Sequence, residues 1–320
     1  MRIAMLPVAQ RFDVVEEPVP SIADDEVLVR VAACGVCASE LDMWLGKAGH
    51  ATLPWYPGHE VSGVVEAVGT DVETLRIGDR VAAWVTTRGY AEYVAVNADH
   101  CFPAGDVPLD LALGEPMACA ANAVDLANPS LGDDVLIIGA GFMGNLVQML
   151  VEQQGPRQII VADPRADALD RATKLGATAV IDPVREPLVE RVRDLTDGRG
   201  VDTTFEVTGV QRALDPIGDV TRMSGTVVIT GYHQGEPRSI PLGQWNWMAF
   251  RIVNAHFREV ATILRGMRMG MRLLTSGRVR LDDLVTHRYP LERIDEAFRT
   301  AVDKPEGFVK ATVLPNGEGH

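Results

Sequence analysis

The sequence predicts an α/β chain in two parts: a β-rich part supplied by both chain ends, and a doubly wound parallel sheet between them. Up to about residue 120, short β-branched segments are cut by Gly and Pro, the spacing of a β domain. From about Asp134, apolar strands alternate with helical stretches, as in a parallel sheet covered on both faces. The 320 residues, 47% of them apolar and 23% charged, suffice for two domains and a large core.

The first strands are expected over Glu26 to Ala33, Val61 to Val68, Arg80 to Val85 and Ala91 to Val96. The parallel sheet follows through VLII (135–138), QIIVAD (158–163), TAVI (178–181), DTTFEV (202–207), TVVIT (226–230) and RIVNA (251–255). Among the connecting helices, Asp167 to Leu175 sets Ala168, Leu169, Ala172 and Leu175 on one side, and Gly176 supplies the stop. A long helix over Glu259 to Thr275, an amphipathic helix over Leu291 to Val302 and a last strand, GFVKATVL (307–314), return to the first part. The expected division is therefore 1–121 with 256–320, and 122–255.

Thirty Lys and Arg against forty-four Asp and Glu leave a net charge of −14, which argues against nucleic acid as a partner. Apolar stretches such as Val135 to Met143 are far too short to span a bilayer, and MRIAMLPVAQ reaches proline and charge too soon for a secretory signal. A cytoplasmic chain with no membrane partner is expected. In that setting Cys34, Cys37, Cys101 and Cys119 are thiols or metal ligands rather than a disulfide framework.

Gly139-Ala-Gly141-Phe142-Met143-Gly144 follows a buried strand and opens a helix. Gly139 permits the turn, Gly141 lets the backbone approach a pyrophosphate, and Gly144 allows close helix–strand packing. Asp163 stands twenty-four residues past Gly139, at the end of the next strand, where a carboxylate accepts hydrogen bonds from ribose hydroxyls and repels a 2′-phosphate. The cofactor expected is NAD rather than NADP. Arg165 either stacks on adenine or recognises a 2′-phosphate. The plain alternative is a nucleotide-free glycine turn with Asp163 capping before Pro164. Thr208, Gly209, Thr230, Gly231 and Tyr232 end later strands, at the carboxyl edge where a parallel sheet binds its ligand.

Cys34-Gly-Val-Cys37-Ala-Ser39-Glu40 is followed, twenty-two residues after Cys37, by Gly58-His59-Glu60, and Gly114-Glu115-Pro116 lies just ahead of the cofactor segment. Thiolate, imidazole and carboxylate are donors that zinc prefers, although each of these fragments alone is as readily a loop or a packed side chain. His50, His100, His233, His256 and His287 have no partner at ligand spacing and are expected to be surface or packing residues.

In combination CGVCASELD, PGHEVSGVVEAVG, LGEPMACAANAV and VLIIGAGFMG resemble the zinc-dependent medium-chain alcohol dehydrogenase family, in its polyol, sugar and threonine dehydrogenase branch, over essentially the whole chain. The resemblance implies a GroES-like catalytic domain, a Rossmann NAD-binding domain and one catalytic zinc ion (Zn2+). By position, Cys37 and His59 become zinc ligands, and Glu60 either binds zinc or swings on and off it. Glu115 ligates directly or through a water. Glu40 is implied to orient the ligating histidine, Ser39 to take the substrate proton, and Asp42, where many members carry histidine, either to pass it on or to leave that to water. Cys119 matches the nicotinamide pocket, and Lys310 matches a basic residue that contacts cofactor phosphates.

The family's four-cysteine lobe for a second zinc is missing from AAWVTTRGYAE (82–92). Trp44, Trp55 and Trp84 are then candidate walls of the substrate pocket, with Gln244, Asn246 and His256 as polar contacts. The resemblance implies hydride transfer between a secondary alcohol and NAD, with a polyol, sugar or cyclitol substrate, in a homodimer or homotetramer. The competing readings are a metal-free quinone or enoyl reductase of the same superfamily and a non-catalytic NAD-binding protein.

Overall fold

A computed structural model describes residues 1–47 and 52–317, so His50 lies outside the described residues. The chain divides into two compact units, Met1–Ala118 with Ile263–His320, and Cys119–Thr262.

The first unit opens with an antiparallel hairpin, β1 (Arg2–Val8) and β2 (Arg11–Glu16). After it come β3 (Glu26–Gly35), the short helix α1 (Ala38–Trp44), β4 (Glu60–Val68), β5 (Arg80–Trp84), β6 (Tyr93–Asn97) and β7 (Cys101–Pro103). The helix α2 (Gly114–Ala127) follows. Here β3 is the hub: it is antiparallel to β4 along most of its length and to β6 over Glu26–Arg30, and its residues from Val31 on are all buried.

The second unit alternates strand and helix: β8 (Asp134–Ile138), α3 (Phe142–Glu152), β9 (Gln158–Ala162), α4 (Ala166–Lys174), β10 (Ala179–Ile181), α5 (Leu188–Leu195), β11 (Val201–Glu206), α6 (Gln211–Leu214), α7 (Ile217–Val220), β12 (Thr221–Ile229), α8 (Leu242–Trp247) and β13 (Arg251–Asn254). Its sheet is parallel throughout, in the order β10-β9-β8-β11-β12-β13. The order reverses between β8 and β11, so the carboxyl ends of those two strands form the switch point at which such sheets hold ligands. At the opposite end buried Asp134 is gripped by Arg157 and Arg199, and Asp202 by Arg199 and Arg222. This is a Rossmann sheet, with Leu136, Ile160, Ile181, Val227 and Trp245 in its core.

The chain then runs through α9 (Val260–Thr275), β14 (Val285–Pro290), α10 (Ile294–Asp303) and β15 (Lys310–Leu314). These last strands complete the first unit's sheet, β14-β15-β3-β4-β5-β7, with β6 also on β3. The arrangement is the GroES-like β architecture. Phe12, Trp44, Tyr90 and Phe298 meet in its core, with ring centroids 4.9 to 6.0 Å from Phe298.

Three expectations are corrected in detail. The segment beginning at Leu291 is a 3₁₀ turn, Leu291–Arg293, before α10 starts at Ile294. The last strand starts at Lys310, since Gly307, at φ +80°, is still in a turn. The fifth strand of the parallel sheet starts at Thr221, ahead of TVVIT, and a register shift carries it past Gly225. Among the described residues no helix is long and apolar enough to cross a membrane.

Candidate metal centre and cofactor turn

Strand register brings the proposed ligands together. Gly35, the last residue of β3, lies opposite Glu60, the first of β4, so the residues beyond one strand meet those entering the other. Cys37 Sγ, one imidazole nitrogen of His59 and one carboxylate oxygen of Glu60 lie within 4.8 Å of one another. A soft thiolate with an imidazole and a carboxylate is a donor set that suits zinc.

Glu40 orients the imidazole. Its buried carboxylate receives His59 Nδ1 at 2.9 Å and the Gly58 amide at 2.8 Å on the same oxygen, which leaves His59 Nε2 for a metal. Burial works against the Glu40 charge, but His59, Tyr90 and the Gly58 amide outweigh it and hold the carboxyl below its ordinary range. Position 58 must be glycine: its φ is +106°, and a Cβ there would lie 2.6 Å from the Tyr90 nitrogen. The Ser39 hydroxyl donates to Cys37 Sγ at 3.2 Å. Asp42 lies on α1, partly buried.

Lys310 reaches the same centre from the start of β15. Its Nζ lies 2.7 Å from both Glu60 oxygens, well aligned with Oε1 only. Burial favours a neutral amine here, but Glu60, Cys37 and Glu115 outweigh it and keep the ammonium charged. Gly35 makes room for the pair, since a Cβ would lie 2.0 Å from Glu60 Oε2 and 3.1 Å from Lys310 Cε. Glu115 sits in the first turn of α2.

Cys34 is a core residue: burial drives its thiol well above the ordinary range, so Cys34-x-x-Cys37 is not a poised dithiol. Trp44 is corrected from pocket wall to core. It is 3% exposed, packs on Phe298, and its Nε1 donates to Asp295 at 3.2 Å, because α1 turns that face onto α10. Trp84 stands half-buried, edge-on to His100, and lines a cavity of about 380 Å³ with Tyr93 and Asn97.

In the second unit the glycines have separable jobs. Gly139 has φ +110°, and a Cβ on Gly144 would lie 1.9 Å from the Gly139 oxygen, so both positions exclude a side chain. Around Gly141 a Cβ would meet nothing within 4 Å, leaving open space at the N-terminus of α3. Phe142 and Met143 begin that helix, half-buried. Asp163, at the end of β9, accepts the Ala140 amide at 2.8 Å and the Arg165 amide at 2.9 Å, which fixes its carboxylate beside the turn. Arg165 Nε lies 3.5 Å from the same carboxylate.

Sequence reasoning missed Glu206. This fully buried carboxylate ends β11, accepts the Thr208 amide at 2.7 Å and the Gly209 amide at 3.0 Å, and takes His233 Nε2 at 2.8 Å. It ties the loops after β11 and β12 together, with Gly231 so close that a Cβ would sit 2.2 Å from the Gly209 nitrogen. In the sequence Glu206 closes a strand, VDTTFE, that already carries Asp202, Thr203 and Thr204, so no local pattern marked it. His233 is thus bound to Glu206, while His256 meets the Gly231 carbonyl at 3.0 Å, beside the Tyr232 ring. Gln244 donates to Asp219 at 3.0 Å on its own unit. Thr230 is buried at the end of β12, and Cys119 lies on α2.

Two family profiles match the chain, "Alcohol dehydrogenase GroES-like domain" over residues 23–106 and "Zinc-binding dehydrogenase" over residues 143–269. The chain is 30% identical to L-threonine 3-dehydrogenase of Pyrococcus abyssi, over 89% of this chain and 90% of that protein. It is 28% identical to D-arabinitol dehydrogenase 1 of Uromyces fabae, over 95% and 94%. The solved 2R,3R-butanediol dehydrogenase of Bacillus subtilis superimposes with a TM-score of 0.86 at 25% identity, covering 98% of this chain and 99% of that one. The fold and these relatives define an oxidoreductase of the alcohol and polyol dehydrogenase class, acting on small-molecule alcohols. The chain belongs to the zinc-dependent medium-chain dehydrogenase family.

Proposed function

We propose that the protein is a zinc-dependent dehydrogenase that moves a hydride from the carbinol carbon of a secondary alcohol to NAD and leaves a ketone, with polyols, sugars and cyclitols as the substrate class. The convergence of Cys37, His59 and Glu60 within 4.8 Å carries this reading. Those three residues would hold the zinc, with Glu115 as a further donor directly or through a water. When bound, zinc supplies the Lewis acidity that lowers the pKa of an alcohol toward neutrality. NAD supplies the hydride acceptor.

The chain's own side chains do the rest. Glu40 keeps the Nδ1 proton of His59 engaged, so Nε2 stays a donor to metal. The Ser39 hydroxyl, anchored on Cys37 Sγ, takes the substrate proton and passes it toward solvent through Asp42 or water. Lys310 balances the Glu60 charge inside the protein. The open backbone at Gly141 and the N-terminus of α3 receive the pyrophosphate, and the fixed carboxylate of Asp163 receives the adenosine ribose hydroxyls and disfavours a 2′-phosphate, with Arg165 beside it. Cys119, Thr208, Gly209, Thr230, Gly231 and Tyr232 are the proposed surroundings of the nicotinamide ribose. The protein is read as a cytoplasmic homodimer or homotetramer, and an exposed Ile252 on the edge strand β13 supports the assembly.

Elemental analysis of protein purified without added metal or chelator, followed by a screen of polyols, cyclitols and sugars with NAD, tests the reading. About one zinc per chain and NAD reduction are expected, with both lost in Cys37→Ser. A Cys37→Ser protein that is zinc-free and fully active refutes it.

A further inference from the structure

The segment 85–92 follows β5 and belongs to the stretch 82–92 in which the family resemblance would place a cysteine lobe; it is laid directly on the turn that carries the proposed ligands. The Gly89 amide donates to the Gly58 carbonyl at 3.0 Å, and the Arg88 amide to the Tyr56 carbonyl at 2.9 Å. The approach is so close that a Cβ on Gly89 would lie 2.7 Å from Val61 Cγ2 and 2.9 Å from Cys34 Sγ. Tyr90 is held on its other side as well. Its carbonyl accepts the Ala4 amide at 2.9 Å, and its ring stands edge-on to Phe298 at 5.7 Å.

The fully buried hydroxyl of Tyr90 lies 2.7 Å from Glu40 Oε2 and 2.9 Å from the Gly35 carbonyl. With one proton to give, it donates chiefly to the carboxylate, which is charged and nearer. Burial, and then the charge of Glu40, push this phenol well above its ordinary value, so it remains a donor. The two oxygens of Glu40 thus have different duties. Oε1 holds His59 and the Gly58 amide, and Oε2 has Tyr90 as its near partner, with the Cys37 amide further off at 3.4 Å. A glutamate has one more rotatable bond than an aspartate, and only a partner on each oxygen stops its carboxylate from turning away from the imidazole.

We propose that Tyr90 is a positioning residue of the metal centre: its hydroxyl fixes the Glu40 carboxylate, which fixes the His59 imidazole, so the shortened 85–92 segment sets the metal affinity of a centre whose ion it does not touch. This inference rests on the zinc centre proposed above. It makes Tyr90 and the glutamate at position 40 a matched pair.

The test uses the full chain as wild type, Tyr90→Phe, Glu40→Asp and the double variant. Three quantities are read: zinc affinity by competition with a chromophoric chelator, the visible bands of the cobalt-substituted proteins, and the thermal midpoint of each metal-free protein. Tyr90→Phe is expected to bind zinc about tenfold more weakly, the low end of what losing an outer partner costs, and to shift the cobalt bands. In the Glu40→Asp background, where the carboxylate is withdrawn from Tyr90 by one methylene, adding Tyr90→Phe should cost less than about twofold. If Tyr90→Phe does not fold, Glu40→Asp alone carries the test with its own loss of about tenfold, and unchanged affinity there overturns the inference. Equal zinc affinity and identical cobalt bands in Tyr90→Phe and wild type also overturn it, however far the metal-free midpoint falls. A wild type that takes up no zinc overturns instead the reading on which it rests.

Discussion

Replacing Lys310 by Met should destabilise the metal-free protein by about 3–5 kcal/mol, because the change leaves a buried carboxylate without its counter-charge. Lys310 is 5% and Glu60 1% exposed, so neither can recover its loss from bulk water. Methionine fills most of the lysine stem, and the cost is therefore charge rather than cavity. Glu60 Oε1 has Lys310 as its donor and Oε2 has no well-aligned donor at all, so removing the ammonium leaves the buried carboxylate without a charged partner. Urea unfolding in chelator reads the effect. With a slope of about 3 kcal/mol/M, the midpoint of the first unit should fall by about 1–1.7 M. Added zinc should restore much of that loss, since the ion replaces the ammonium as partner of Glu60. A deficit in chelator below about 1 kcal/mol, the range of an exposed pair, would falsify the view that Lys310 balances Glu60 in the interior.

Asp163→Ser should raise the kcat/KM ratio of NADP to NAD by about tenfold, or about 1.4 kcal/mol, and an unchanged ratio refutes its role in cofactor choice. The thermal midpoint serves as control there, because Asp163 also holds the Ala140 amide. Burial works against the Asp202 charge, but Arg199, the Asp134 amide and Arg222 outweigh it and hold the carboxyl far below the ordinary aspartate range. A folded value depressed in this way contributes stability above the ordinary aspartate pKa and loses it as pH falls toward the folded value. Asp202→Asn should thus cost about 1–3 kcal/mol at neutral pH, with the gap to wild type closing in acid, as read from urea midpoints across a pH series. A gap that stays constant down to about pH 2 sinks the assignment.

The parallel sheet was legible because its central strands are buried on both faces. All of β8 and β11 is inside; past its opening Asp134, β8 reads as an apolar run rather than as an alternation, whereas β11, VDTTFE, carries Asp202, Thr203, Thr204 and Glu206 into the interior. The glycine turn was legible because a close backbone approach can be met only by Gly, as at Gly144. The hairpin β1–β2 was not, since β2 shows only Phe12 buried and β1 contains Pro7. In β14, VTHRYP, two buried positions among half-exposed ones look like a loop. Local pattern also cannot say which face of a seven-residue helix turns inward, and Trp44 was misread for that reason.

The ligands and their partners differ in how far apart they lie along the chain. Cys37 and Glu40 share one turn, and His59 with Glu60 enters the neighbouring strand, so motif and register suffice to bring them together. Their supports come from remote segments, Tyr90 from 50 residues past Glu40 and Lys310 from 250 residues past Glu60. No local spacing marks such residues, because a tyrosine after a glycine and a lysine opening a strand have ordinary reasons to be there. What singles them out is burial of a polar tip against a carboxylate, which costs stability unless the partner is present. Glu40 and Glu60 are both nearly inaccessible, so each needs a donor that only the folded β domain provides. The donor atoms of the centre can therefore be read from short motifs, whereas the charge balance and rigidity that let them hold an ion depend on β15 and on the segment between β5 and β6.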